Sequence, residues 1–192
     1  MKWDASDRGW SDLPIQIRLV PQSVKGVSPR RSAIPGNVAL ALRKCCMGES
    51  PWPALLVGPA GTGKTYAAVY LARKMRAVYR SVPEMLEELI RANGQNMEKS
   101  PNADVLHTWH WWDCWRAVEL AVLDEIGSRE RVSDFHYECV KRAIDAREGY
   151  PAIYITNLGL NNIAKIYDDR IASRLSGGTV IHVAGKDRRL ER

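Results

Sequence analysis

Gly58-Pro59-Ala60-Gly61-Thr62-Gly63-Lys64-Thr65 fits G-x-x-x-x-G-K-[ST] at every position. The apolar run Pro53 to Val57 enters it and reads as a short buried strand. A helix-forming segment, Thr65 to Met75, leaves it, with Ala67, Val69, Leu71 and Ala72 expected to pack on a sheet. Strand, glycine loop and helix are the context in which this pattern cradles phosphate. Glycines at 58, 61 and 63 let the backbone curl around an anion without Cβ clashes. Successive N–H groups and the helix N-terminus then face it. With Pro59, Ala60 and Thr62 completing the loop, Lys64 adds positive charge at the β- and γ-phosphates, and the Thr65 hydroxyl is a Mg²⁺ ligand. The implied ligands are ATP and Mg²⁺.

Outward from this loop the chain alternates between short apolar runs and amphipathic segments. Val38 to Cys46 reads as a helix with Leu40 and Leu42 inward, ended by Gly48. Ala77 to Arg80 reads as a strand, and Ser81-Val82-Pro83-Glu84 as a capping-box start of a helix running to Ala92, stopped by Asn93-Gly94. A polar loop over 95–103 leads to a helix from Val105 to Trp115. Ala121 to Leu123, Ala152 to Thr156 and Thr179 to Val183 are further strands. Phe135 to Arg147, Leu160 to Tyr167 and Ile171 to Leu175 are further helices. This order predicts an α/β three-layer P-loop NTPase fold, with a parallel sheet covered on both faces. The residues divide into an extended N-terminal arm, 1–32, with one expected strand at Ile15 to Val20, and a core, 33–192.

Val122-Leu123-Asp124-Glu125 is an apolar strand ending in two acids, sixty residues beyond Lys64. An acid at the carboxyl end of a parallel strand projects into the ligand crevice. Asp124 is placed at the metal, and Glu125 as the base that orients and deprotonates the attacking water, which favours hydrolysis over transfer to an acceptor. Asn157, at the end of Ile153-Tyr154-Ile155-Thr156, is either a turn residue or an amide that positions this water and touches the γ-phosphate. Arg170 and Arg174, spaced i, i+4, share one helix face. They are either solvated or supplied to a neighbouring subunit's nucleotide.

Gly58–Thr65, Leu123-Asp124-Glu125-Ile126-Gly127, Thr156-Asn157-Leu158 and Asp169-Arg170-Ile171-Ala172-Ser173-Arg174-Leu175 together resemble the AAA+ ATPases of the DnaC-like branch. That branch takes in bacterial and phage replicative helicase loaders and IstB-type transposition ATPases. The segments stand as Walker A, Walker B, sensor 1 and arginine-finger box. The helix start at Ser81 to Leu86 and the closing Gly177-Gly178-Thr179-Val180 are similar too, and the resemblance spans roughly residues 33–185. It implies five parallel strands with Walker A and B on non-adjacent strands, and no C-terminal lid domain. It also implies ATP bound between subunits of a homo-oligomer, with Arg174 as the finger acting in trans and Arg170 as a second inter-subunit contact. The implied activity is ATP hydrolysis to ADP and phosphate. The implied partners are a hexameric replicative helicase and single-stranded DNA. Two other readings are an IstB-type ATPase assembling on duplex DNA with a recombinase, and a non-catalytic adaptor that binds ATP as a structural ligand.

Composition bounds these readings. The 192 residues are 45% hydrophobic and 26% charged, which excludes disorder and suffices for a core. No apolar run approaches the ~20 residues a membrane helix needs, and no signal peptide is visible, so a cytoplasmic protein is expected. The formal net charge of +6 permits an anionic partner without demanding one. Cys45, Cys46, Cys114 and Cys139 form no C-x-x-C and read as reduced thiols. His107-Thr108-Trp109-His110-Trp111-Trp112-Asp113-Cys114-Trp115-Arg116 carries four of the seven tryptophans. Trp109, Trp112, Trp115 and Val118 make one apolar stripe, which leaves Trp111 as the best candidate for an exposed aromatic; the segment reads as core packing ahead of base stacking.

Overall fold

The structure, a computed structural model, describes residues 34–95 and 108–187. The expected arm with its strand, and the expected helix start at Val105, lie outside the described residues. The elements run α1 (Gly36–Cys46), β1 (Ala54–Val57), α2 (Lys64–Ala72), β2 (Ala77–Ser81), α3 (Val82–Gln95), α4 (Thr108–Ala117), β3 (Leu120–Ile126), α5 (Asp134–Asp145), β4 (Ala152–Thr156), α6 (Leu160–Ile166), α7 (Asp169–Ser176) and β5 (Thr179–His182).

The five strands form one parallel sheet in the order β2-β3-β4-β1-β5. The inner strands β1, β3 and β4 are apolar on both faces over most of their length, as a sheet covered on both sides requires. Residues of the sheet alternate between two cores. Ala54, Leu56, Tyr79, Leu120, Val122, Ile153 and Ile155 pack with α1 and α2 on one face. Leu55, Val57, Val78, Ala121, Leu123 and Tyr154 pack with α3, α4, α5 and α7 on the other. The chain leaves β1 along one face and returns through the later strands along the other. The carboxyl ends of β1, β4 and β3 therefore lie side by side where the winding reverses, which is where ligands of such sheets sit.

Local signals explain most boundaries. The capping box at α3 is formed: the Ser81 N–H and hydroxyl both donate to Glu84 Oε2, at 3.0 and 2.9 Å, and the Glu84 N–H returns to Ser81 Oγ. Ser133 and Asp168 cap α5 and α7 by accepting from His136 N and Ile171 N. Asn93-Gly94 does not stop α3, which continues through Gln95; a single helix turn tolerates the ~1 kcal/mol cost of glycine.

Three further expectations need correction. Leu40 is 54% exposed, because α1 buries Val38, Ala39, Leu42 and Cys45 instead. The third strand does not end before its acids: β3 runs on through Asp124 and Glu125 to Ile126, with a shift of register against β4 between Leu123 and Ile126. On α4 the exposed tryptophan is Trp109, at 62%, while Trp111 is buried with Trp112 and Trp115. The helix is covered from two sides. Trp111 donates its Nε1 proton to Glu88 of α3 at 2.7 Å and stacks on Trp115 at 5.4 Å. Trp112 lies under the Arg142 guanidinium of α5 at 4.4 Å, and Trp115 Nε1 bonds the Ala143 carbonyl at 2.9 Å. A helix held between two others buries a wide stripe, here 111, 112, 115 and 118, and of its four tryptophans turns Trp109 away.

Candidate nucleotide site

Gly58–Thr65 crosses from β1 to α2 as a loop tied to itself and to the sheet. The Thr62 side chain is buried, and its hydroxyl donates to the Pro59 carbonyl at 2.9 Å. Gly58 has φ 157°, and a Cβ there would collide with the Val183 carbonyl, so the loop passes against β5's exit with no room for a side chain. Gly61, at φ 74°, lies against the Asp187 carboxylate, which returns over the loop after β5. Lys64 is buried, and its ammonium donates to the Gly58 and Pro59 carbonyls at 2.6 Å each. The lysine thus holds the loop's own backbone.

Asp124 occupies β3 on the α2 face, in step with Leu120 and Val122. It is 4% exposed, and a buried carboxylate needs donors. Oδ2 accepts from the Thr65 hydroxyl at 2.6 Å and from the Tyr79 hydroxyl at 2.5 Å; Oδ1 accepts from the Glu125 N–H at 2.7 Å. The first bond joins the start of α2 to β3 across the crevice. Burial, then the Asp124 charge, drives the Tyr79 phenol far above its ordinary pKa, so it stays a proton donor. A carboxylate and a hydroxyl whose proton is already given away are hard oxygen ligands. Their chemistry fits Mg²⁺.

Glu125 is the described non-glycine residue at positive φ, 62°. Strain of this kind costs about 1–3 kcal/mol and collects at functional positions. It turns Glu125 out of the strand, and the side chain is exposed where its neighbours are buried. Asn157 follows β4, between the phosphate loop and Asp124, and is exposed. Thr156 beside it pins the two strand ends: its hydroxyl donates to the Ile126 carbonyl at 2.8 Å and accepts from Leu158 N–H at 3.1 Å, while Gly58 N–H reaches the Thr156 carbonyl at 3.4 Å.

The two arginines of α7 are separated by their surroundings. Arg170 is exposed. The Arg174 guanidinium is paired within the chain with Asp145 at the end of α5 and lies 4.0 Å from Glu148. Their helix is anchored by Asp168, which accepts from Tyr137 Oη at 2.6 Å and from Ile171 N–H at 2.7 Å. These bonds, the Tyr137 hydroxyl first, hold the Asp168 carboxyl below its ordinary range. Sequence reading missed Tyr79, Asp145 and Asp187. Their motif partners lie far off in the chain, and only the sheet order brings them together.

No protein-family model and no curated protein matches the chain by sequence. Solved structures do match by fold. A DnaC helicase loader superposes with TM-score 0.62 at 17% identity, over 84% of this chain and 96% of that one. DnaI superposes with TM-score 0.55 at 19% identity, over 83% and 94%. AMPPCP-bound DnaA from Aquifex aeolicus gives TM-score 0.62 at 16% identity, over 88% of this chain and 50% of its own. The chain spans about half the length of AMPPCP-bound DnaA and of DnaA bound to AMPPCP and single-stranded DNA. The sheet order, the loop between β1 and α2 and the acid of β3 are thus set in an α/β P-loop NTPase-like fold shared with these solved structures.

Proposed function

We propose that this chain binds and hydrolyses ATP as an AAA+ protein of DNA replication, acting as a loader of a hexameric helicase that assembles around nucleotide and contacts single-stranded DNA. The observation that carries the reading is the 2.6 Å bond from Thr65 to Asp124, which unites the helix of the phosphate loop with the acid of β3 at the point where the sheet reverses. The match in fold to a DnaC helicase loader and DnaI over most of both chains supports the choice of process. So does a similar structure of DnaA bound to AMPPCP and single-stranded DNA.

In this mechanism the loop N–H groups and Lys64 bind the triphosphate, and Lys64 exchanges the Gly58 and Pro59 carbonyls for phosphate oxygens. Thr65 and Asp124 would hold Mg²⁺, whose chemistry would be to neutralise charge on the phosphate oxygens. Glu125, turned out of β3 by its positive φ, takes the proton of the attacking water. Asn157, on the strand between, orients that water. The water oxygen bonds to the γ-phosphorus as that atom's bond to the bridging β-phosphate oxygen breaks, and ADP, which takes the electron pair, and phosphate leave. A neighbouring subunit's arginine stabilises the charge that develops. Arg170 is exposed for this task, whereas Arg174 must first leave Asp145. Hydrolysis is thereby tied to assembly.

The test is turnover by wild type and Glu125→Gln at rising protein concentration, with and without single-stranded DNA. Wild type is expected to hydrolyse ATP with a rate per subunit that rises on assembly; the variant binds ATP and loses turnover by about 100-fold or more. A pull-down with the ATP-loaded variant then identifies the helicase. Wild type that binds ATP without turnover in any assembled state would replace this reading by the adaptor.

A further inference from the structure

Tyr79 belongs to β2, the edge strand beside β3, and pairs with Val122 while Ser81 pairs with Asp124. Tyr79 therefore stands one pleat below Asp124 on the same face, and the length of a phenol spans that pleat. Its ring is buried in the α1–α2 core. A phenylalanine would fill that volume equally well. The hydroxyl adds only a buried polar group that must find a partner, and the partner is Asp124 Oδ2 at 2.5 Å.

The three donors on Asp124 differ in what nucleotide does to them. Thr65 sits on the phosphate loop and turns to a metal. The Glu125 N–H belongs to a strained residue of the acid pair itself. Tyr79 lies on a separate strand, its ring immobilised by packing, so its bond has the same direction before and after nucleotide enters. We infer that Tyr79 is a positioning residue for the metal carboxylate, fixing Asp124 Oδ2 so that magnesium-dependent retention of nucleotide requires the phenol hydroxyl. The inference rests on the proposed nucleotide site and adds a residue outside its motifs.

The test is Tyr79→Phe, with a fluorescent non-hydrolysable ATP analogue titrated by Mg²⁺. Partners that orient a metal ligand are worth at least about tenfold in metal affinity, so the magnesium midpoint is expected to rise about tenfold while metal-free affinity for the analogue is unchanged. Tyr79→Leu removes ring and hydroxyl together. It should reproduce the shifted midpoint and lose more thermal stability, which separates the bond from the packing. An unchanged midpoint in Tyr79→Phe, or an equal loss of affinity with and without Mg²⁺, overturns the inference. Wild type that takes up no analogue at all overturns the nucleotide site instead.

Discussion

Asp124→Asn separates the structural work of this carboxylate from its work on a ligand. The side chain accepts three hydrogen bonds in a nearly closed environment. An amide keeps one acceptor. With its oxygen on the Glu125 N–H, its NH₂ faces the hydroxyls of Thr65 and Tyr79, whose oxygens can rotate to accept. The apo protein therefore loses about 1 kcal/mol, one net hydrogen bond. The effect on ligand is larger, because a neutral amide no longer attracts the cation. A ligand at 100 times its dissociation constant stabilises the native state by about 2.7 kcal/mol. For a chain of this size that is roughly 5–10 °C in Tm. Thermal unfolding with an ATP analogue, with and without Mg²⁺, measures it. Wild type should gain several degrees more with Mg²⁺ than without; Asp124→Asn should show no such increment. A variant that kept the full Mg²⁺ increment would refute the placement of the metal on β3.

Gly58→Ala should lower stability by about 2 kcal/mol or more, since its Cβ meets backbone of Val183 and its φ is left-handed; denaturant unfolding measures this. Asp145→Asn should cost at most about 1 kcal/mol, because the pair with Arg174 is partly exposed. It should also raise assembly-stimulated turnover if Arg174 acts in trans; a fall would show that Asp145 positions the arginine. Asp168 has a depressed native pKa, so its stabilisation of α7 is present above the ordinary carboxylate value of about 4 and is lost as pH falls through the native one. The Tm difference between wild type and Asp168→Asn should accordingly be full at pH 7 and vanish in acid.

Much of the candidate site's geometry is legible in the chain because a loop of this shape has a local solution. A loop needing positive φ at fixed offsets writes its glycines into consecutive positions, and a sheet covered on both faces writes apolar runs between amphipathic helices. Val122-Leu123-Asp124 was readable for the same reason. What stayed hidden depends on contacts between distant segments. The spacing on α4 allowed two stripes, and only its position between α3 and α5 selects the one that buries Trp111 and exposes Trp109. Arg174 has the spacing of a free helix face, yet α5 supplies Asp145 to it. The bulge that turns Glu125 outward is a mismatch between β3 and β4, which no single strand encodes.

Equilibrium binding of a fluorescent ATP analogue by wild type and Lys64→Ala, at millimolar Mg²⁺ and at concentrations that permit self-association, tests the central claim most directly. Saturable uptake by wild type, lost on removing the ammonium that now holds Gly58 and Pro59, is the expected result. Absence of uptake by wild type, or equal uptake by both, would contradict it.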